Sequence, residues 1–191
     1  MGKTELYRHF IDIGAAAVIA MHTHCPQGYE IYNGAPIVYS MGNFFFPHAK
    51  PKLPNWYIGY MSVLDITEKG VELSTVPYEF EFDGIRLLRD EKLDNFRRYL
   101  SELNGIISDE KRHIKMWNAW CVRWGIGCYL KRVIDTEKHS EISEYIHIKN
   151  IFSCEAHNEL IKDTLNLAYR GKVEKARESV EYTRELQKPE I

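Results

Sequence analysis

The fold is decided by one stretch near the amino terminus, DIGAAAVIAMHTHCPQGYEIYNGAPIVYSMGNFFFP, which covers residues 12–47. Its apolar run at residues 15–21 is short and bounded by turn signals, which predicts a buried strand. That strand leads directly into His22-Thr23-His24, the densest cluster of reactive side chains in the chain. Because loops after strands carry function in layered α/β folds, the sequence places its candidate site at the end of the first strand.

The two histidines have two interpretations. In extended backbone, residues two apart point the same way and lie about 7 Å apart, so His22 and His24 can converge on one metal ion or straddle a pair of ions. Imidazole is the commonest metal ligand near neutral pH. The alternative is a surface loop in which two histidines lie close by chance. Cys25 follows directly and is either a further ligand or an ordinary small loop thiol.

The following segment favours a built site. Residues 29–32 and 36–40 alternate in polarity around Asn33-Gly34, which is the strongest short-range signal for a β-hairpin. Gly42 permits a tight backbone and a close approach to a ligand. Asn43 offers a carboxamide that can ligate or hydrogen-bond an oxyanion. We expect Thr23, Gly42 and Asn43 to shape the site.

Four segments of this stretch resemble, in order and without gaps, the last motif block of the CapA family of poly-γ-glutamate capsule synthesis proteins. They are IDIGA at residues 11–15, VIAMHTH at 18–24, QGYEIY at 27–32 and PIVYSMGNF at 36–44, and a weaker resemblance continues to NIFSCEAH at 150–157. This family is similar to the calcineurin-like metallophosphoesterase superfamily. The resemblance implies an α/β fold, namely the C-terminal part of a layered metallophosphoesterase-like sandwich followed by a helical C-terminal region. It also implies a divalent metal (Mn, Fe or Zn), His22 and His24 as metal ligands, and an anionic polymer or a phosphate as substrate.

The sequence departs from the family pattern around the histidines. Ala20 replaces a glycine, Met21 replaces the first histidine of the family cluster, and Thr23 replaces a proline. The remaining His-Thr-His matches the closing Gly-His-Thr-His of the broader superfamily, with Met21 in the glycine place. The superfamily's upstream Asp-x-His, Gly-Asp-x-x-Asp/Asn and Asn-His motifs are absent from the residues before Asp12.

We therefore expect a C-terminal fragment of a capsule-linked, metal-dependent protein. Either the gene is truncated, the sequence is a piece of a longer chain, or a separate chain supplies the first half. Two histidines are fewer than the three protein ligands of a catalytic zinc, so the chain alone should bind metal weakly or not at all and should be inactive. No residue is assigned a catalytic role. The alternatives are a non-catalytic subunit or remnant whose helical tail binds a partner, and a sugar- or polymer-binding module that uses the aromatic residues.

Composition narrows the class of protein. Of 191 residues, 45% are hydrophobic and 27% charged, as in ordinary globular proteins, and the net charge of -2 gives no electrostatic case for nucleic acid. No apolar run of 18 residues predicts a membrane span, and no signal-peptide pattern opens the sequence, so we expect a cytoplasmic protein. The four cysteines fit no zinc framework and are predicted to be free thiols.

The remaining pattern predicts an α/β domain at residues 1–84 and a helical region at 85–191. In the first domain we expect a helix at 4–13, a strand continued through Phe44-Phe45-Phe46, a loop at 47–54 and two strands at 56–67 and 71–82. His48 in the loop is either a solvated side chain or a residue that reaches the site.

Helical spacing dominates after Asp83-Gly84. The pattern predicts a helix that ends at Asn104-Gly105, a second that carries a tryptophan stripe and breaks at residues 125–127, and later helices at 146–169 and 173–186. The tryptophan stripe is typical of a core rather than a cofactor site. Cys154 and His157 would share one helical face, either as ligands or as packed side chains.

Overall fold

The computed structural model describes residues 2–191. The chain has the predicted α/β fold with a helical C-terminal region. It forms two compact units: an α/β unit that contains the residues up to 110 together with 185–191, and a helical unit of residues 111–184. Within residues 2–191, no helix combines the length and the apolar character needed to cross a bilayer.

The first sheet of the α/β unit carries the histidine cluster. Helix α1 (Gly2–Asp12) precedes strands β1 (Val18–Ile19), β2 (Tyr29–Tyr32) and β3 (Ala35–Val38). The strand order is β1-β3-β2, with β1 parallel and β2 antiparallel to β3. The predicted Asn33-Gly34 hairpin is confirmed: Tyr32 pairs with Ala35, and both turn residues have the positive φ that a tight hairpin requires.

Two predictions about these strands were wrong. The first strand covers only Val18–Ile19 rather than residues 15–21, because it pairs with only two residues of β3. Phe44, Phe45 and Phe46 form no strand and are about half exposed. The chain turns away from the sheet at Gly42, whose φ is +85°.

The second sheet is an antiparallel meander of β4 (Ile58–Thr67), β5 (Gly70–Glu81) and β6 (Gly84–Leu87). The first two strands match the predicted pair. Strand β6 was not predicted, because Asp83-Gly84 was interpreted as the start of the helical region. In the structure Glu81 pairs with Gly84, so Asp83 lies in a two-residue hairpin loop.

Two apolar cores hold the α/β unit together. Ile11 of α1 packs with Ala35, Ile37 and Tyr39 on one side of the first sheet. The second core contains residues from β3, β4 and helix α2 (Asp90–Ser108) and is formed by Val38, Ile58, Tyr60, Leu88, Phe96, Tyr99 and Leu100. The first sheet is therefore covered on both faces, which fixes the end of β1 where the histidines emerge.

Helix α2 continues through Asn104-Gly105, where the sequence predicted its end. The Asn104 side chain accepts a hydrogen bond from the Tyr29 N–H at 2.7 Å, and Ile106 beyond it is buried. Tertiary packing therefore outweighs the local preference of Asn-Gly for a helix end.

The α-helices that follow α2 are α3 (Glu110–Trp120), α4 (Lys131–Ile134), α5 (Ile142–Ser153), α6 (Glu155–Tyr169), α7 (Val173–Arg177) and α8 (Val180–Glu185). Residues Cys121–Leu130 continue α3 in π-helical geometry, so the predicted break at residues 125–127 was wrong. Gly125 is required there because a Cβ would lie 1.9 Å from the Thr164 hydroxyl of α6. The tryptophan stripe packs on the core around Cys121 and Leu160.

Two helices predicted as continuous are interrupted. The one predicted at residues 146–169 breaks at Cys154, which has extended backbone (φ −84°, ψ 121°) between α5 and α6. The one predicted at residues 173–186 is divided into α7 and α8 around Ser179, which is buried.

Candidate functional site

His22 and His24 lie together in the loop that follows β1. Their ring centroids are 6.4 Å apart, and both residues are exposed. Both line one concavity of about 430 Å³, whose walls include Gly42, Asn43 and Phe46. The structure therefore brings together the two histidines, Gly42 and Asn43.

Asn43 fixes the His24 ring. Its buried side chain donates through Nδ2 to the carbonyl oxygens of His24 (2.9 Å) and Trp56 (3.2 Å). Its Oδ1 lies 2.8 Å from His24 Nδ1. Because two carbonyl acceptors determine which end of the amide is the NH₂ group, the Oδ1 atom must accept, and Nδ1 of His24 carries the proton.

This hydrogen bond selects the tautomer of the neutral His24 imidazole. With the proton on Nδ1, the lone pair lies on Nε2, which is then the nitrogen able to bind a metal ion or accept a proton. Metal-ligating histidines commonly donate their other ring N–H to a protein oxygen in this way. Asn43 thus has the geometry of a residue that orients a ligand rather than that of a ligand itself.

Trp56 supports the same ring and was not singled out by the sequence. Its indole stacks on His24 with centroids 5.0 Å apart and planes inclined by 20°, and its Nε1 donates to the Phe46 carbonyl at 2.9 Å. Phe46 also contacts His24, with centroids 5.4 Å apart. No local signal marks this role, because Trp56 follows the proline-rich loop and reaches the site only through the fold.

The backbone of the histidine loop is strained. His22 has φ of 127° and His24 has φ of 58°, in the left-handed region that favours glycine. The Thr23 hydroxyl donates to the Cys25 carbonyl at 3.0 Å and stabilises the turn. Thr23 therefore shapes the loop through its backbone contact.

Gly42 is required by both conformation and space. Its φ is +85°, and a Cβ at this position would lie 2.9 Å from the Ile58 carbonyl and 3.1 Å from Pro26. The backbone at Gly42 therefore approaches Ile58 and Pro26 closely, which places the next residue, Asn43, in contact with His24. Pro26 and Met41 form an isolated antiparallel bridge across the same place.

The other acidic and thiol groups nearby have different partners. Glu30 receives a bidentate hydrogen bond from Arg8 (2.9 and 2.7 Å) and one from the Tyr39 hydroxyl (2.6 Å), and its carboxylate raises the pKa of Arg8. Asp12 accepts from Asn33 Nδ2 at 3.0 Å. Burial raises the pKa of the Cys25 thiol to about 11, which disfavours the thiolate that a metal needs.

His48 does not line the concavity. Its ring lies edge-on to Trp56, with centroids 6.0 Å apart, and its Nδ1 accepts from the Lys50 N–H at 3.1 Å. His48 therefore contacts the Trp56 indole and is not among the residues that line the concavity.

A family comparison covers this site. The model of the family described as bacterial capsule synthesis protein PGA_cap matches residues 2–48. The predicted resemblance is confirmed over this segment. No curated protein matches the chain.

The matched segment, residues 2–48, contains the histidine pair and Asn43 but not a complete set of metal ligands. No group of three His, Cys, Asp or Glu side chains within residues 2–191 is placed to hold a metal ion. A catalytic zinc site uses three protein ligands plus water. The donors present therefore do not fit a self-sufficient metal centre, and no catalytic step can be derived through a metal from this chain.

Outside the matched segment, Cys154 and His157 do not form a metal centre either. The His157 ring packs edge-on against Tyr129, with centroids 5.3 Å apart, and its Nδ1 lies 3.4 Å from Asn150 Nδ2. Cys154 lies in the break between α5 and α6. All four cysteines of the chain are free thiols.

Proposed function

We propose that the α/β unit contributes an incomplete metal site to a capsule-synthesis protein, with His22 and His24 as two ligands and the remaining ligands supplied from outside residues 2–191. The observation that carries the proposal is the Asn43–His24 hydrogen bond, which leaves Nε2 of an exposed imidazole available beside a second exposed imidazole. Without the other ligands, this chain alone binds a divalent cation weakly and has no hydrolase activity.

The edge of the first sheet supports this proposal. Strand β1 pairs with β3 on one side, and among the strands of residues 2–191 none pairs with its other side. Ile19 and Met21, at this edge and beside the histidines, are 39% and 51% exposed. A strand supplied from outside residues 2–191 that paired with this free edge would bring additional side chains to the end of β1.

The substrate proposed for the assembled site is an anionic polymer or a phosphate ester, and the metal is Mn, Fe or Zn. These assignments rest on the family resemblance of residues 2–48. The number of metal-ligating side chains bears only on whether this chain binds a metal, and it does not affect these assignments of substrate and metal.

The test is a calorimetric titration with Zn²⁺ and with Mn²⁺. The proteins titrated are the wild type, His22→Ala, His24→Ala and Asn43→Ala. His9→Ala is the control, because His9 is exposed on α1 in the same unit. We expect weak binding that both site variants abolish, that Asn43→Ala weakens about ten- to a hundredfold, and that His9→Ala leaves unchanged. Equal loss in all four variants would contradict the site.

The activity test adds a separately expressed amino-terminal part of a family member. Its ligands should raise the metal affinity of this chain, because ligand number sets the strength of the site. A phosphodiester assay of this chain alone should show no turnover. Robust turnover that is lost in His22→Ala would show that the chain is a complete enzyme.

A second candidate function is a non-catalytic subunit that binds a partner through the helical unit. Large apolar side chains are exposed along this unit, among them Ile134 (76%), Ile142 (79%) and Tyr169 (92%). Exposed apolar side chains that cluster are typical of interaction sites.

A further inference from the structure

Helix α5 is apolar on two sides. Ile151 is buried where α5 packs against α6. On the side turned about 160° away from Ile151, Ile142, Tyr145, Ile146 and Phe152 are 79%, 46%, 60% and 51% exposed. At 3.6 residues per turn these four span about 120° of the helix surface. A helix that is apolar over this much of its circumference is normally covered on both sides.

The exposed face has the spacing of a helix-pairing seam. Residues 142, 145, 149 and 152 follow the 3-4-3 pattern of successive a and d positions in a heptad. The pattern is symmetric about position 147, so it reads the same in both directions. When two copies of α5 lie antiparallel, Ile142 faces Phe152 of the other copy, and Tyr145 faces Lys149. The face is therefore complementary to itself, as an interface with two-fold symmetry requires.

Charge selects the direction of pairing. A parallel pair would place Lys149 against Lys149, whereas an antiparallel pair places its ammonium beside a tyrosine ring, which attracts cations. We propose that α5 pairs antiparallel with α5 of a second copy of this chain and forms a homodimer.

The size of the face sets the strength of the dimer. Helix α5 has 12 residues, which corresponds to a length of about 18 Å, and four exposed apolar side chains. A face about 18 Å long and about one helix diameter (10 Å) wide covers much less area than the roughly 800 Å² that each partner buries in a standard stable interface. The dimer is therefore weak and in reversible exchange with the monomer. Its formation does not depend on whether the histidine pair binds metal.

The first experiment measures the mass of the full chain by sedimentation over a wide concentration range. We expect the wild type to shift from monomer to dimer, and Ile142→Ser/Phe152→Ser to stay monomeric with an unchanged far-UV circular dichroism spectrum. The control is Leu165→Ser/Tyr169→Ser, which removes two exposed apolar side chains from α6 and should associate like the wild type. A wild type that stays monomeric throughout, or a control that loses association equally, overturns the proposal.

Two variants of opposite charge at position 145 test the antiparallel register. They do so without the apolar double substitution of the first experiment. Tyr145→Glu and Tyr145→Lys lose the same ring and the same hydrogen bond from the Tyr145 hydroxyl to the His139 carbonyl. In the proposed pair, Glu at position 145 faces Lys149, whereas Lys at position 145 faces a like charge. We expect Tyr145→Glu to dimerise at least tenfold more tightly than Tyr145→Lys. Equal affinities, or a tighter Tyr145→Lys dimer, overturn the proposal.

Discussion

Replacing Asn43 with alanine removes three hydrogen bonds at once: those to the His24 ring, the His24 carbonyl and the Trp56 carbonyl. Each such bond contributes about 1 kcal/mol net to stability. Asn43 is only 7% exposed, so water does not readily replace the lost donor at the two carbonyls. We expect the free energy of unfolding of the α/β unit to fall by about 3 kcal/mol, which raises its opening constant about a hundredfold.

Hydrogen exchange measured by mass spectrometry in increasing urea tests this prediction. Peptides from β3 and β4 report on the opening of the α/β unit separately from the helical unit. The control is Asn95→Ala on α2, where the asparagine side chain accepts a hydrogen bond from Arg98 at the surface. Its effect should stay within about 0.5 kcal/mol. A change of less than threefold in the opening constant of Asn43→Ala would refute the structural role of the network and, with it, the assignment of the His24 tautomer.

Three further substitutions test other parts of the structure. Gly125→Ala places a Cβ 1.9 Å from the Thr164 hydroxyl and should destabilise the helical unit by about 1–3 kcal/mol. The matched variant Gly127→Ala, in which the nearest atom to the new Cβ would be 3.8 Å away, should be neutral or stabilising. Tryptophan fluorescence in urea measures both, and equal effects would contradict the packing of Gly125 against Thr164. His22→Gly should be more stable than His22→Ala by about 1 kcal/mol or more, because glycine tolerates the φ of 127°; hydrogen exchange near β3 measures the difference, and an equally stable His22→Ala would argue against strain. The pKa of the Cys25 thiol is about 11 in the fold and 9.0 ordinarily, so the native state holds this proton more tightly and the free energy of unfolding should fall as the pH rises from 9 to 11. Urea unfolding of Cys25→Ser should show a smaller loss over the same pH range. An identical loss in the variant would contradict this prediction.

Local chemistry accounts for the parts of the fold that the sequence predicted. Asn33-Gly34 can adopt the left-handed conformations of a tight hairpin turn, and the alternation around it aligns Tyr29–Tyr32 with Ala35–Val38. The same reasoning located the long hairpin of β4 and β5. Asp83-Gly84 carries a similar turn signal, and its four-residue partner strand was missed because helical spacing begins directly afterwards.

Long-range packing accounts for most of what the sequence did not predict. Trp56 stacks on His24 only because the proline-rich loop returns to the end of β1, and no periodicity encodes that contact. Gly125 looked like a helix breaker, yet its missing side chain is what allows Thr164 to approach. Glycine in a helix has opposite meanings at an exposed position and at a helix crossing, and sequence alone does not distinguish them.

The strain at the histidines bears on why the loop has this form. A residue held at positive φ costs about 1–3 kcal/mol unless it is glycine, and this loop contains two such residues within three positions. A loop that only joined β1 to β2 would be more stable with glycine at His22 and His24. Instead, the Asn43 amide and the Trp56 ring hold the His24 imidazole, and the Thr23 hydroxyl stabilises the turn, with both imidazoles exposed on one concavity. Structure that stabilises a costly backbone around two exposed imidazoles favours a site that presents them to a ligand. Within residues 2–191 no third metal-ligating side chain joins the two histidines, so the metal site that we propose requires its remaining ligands from outside these residues.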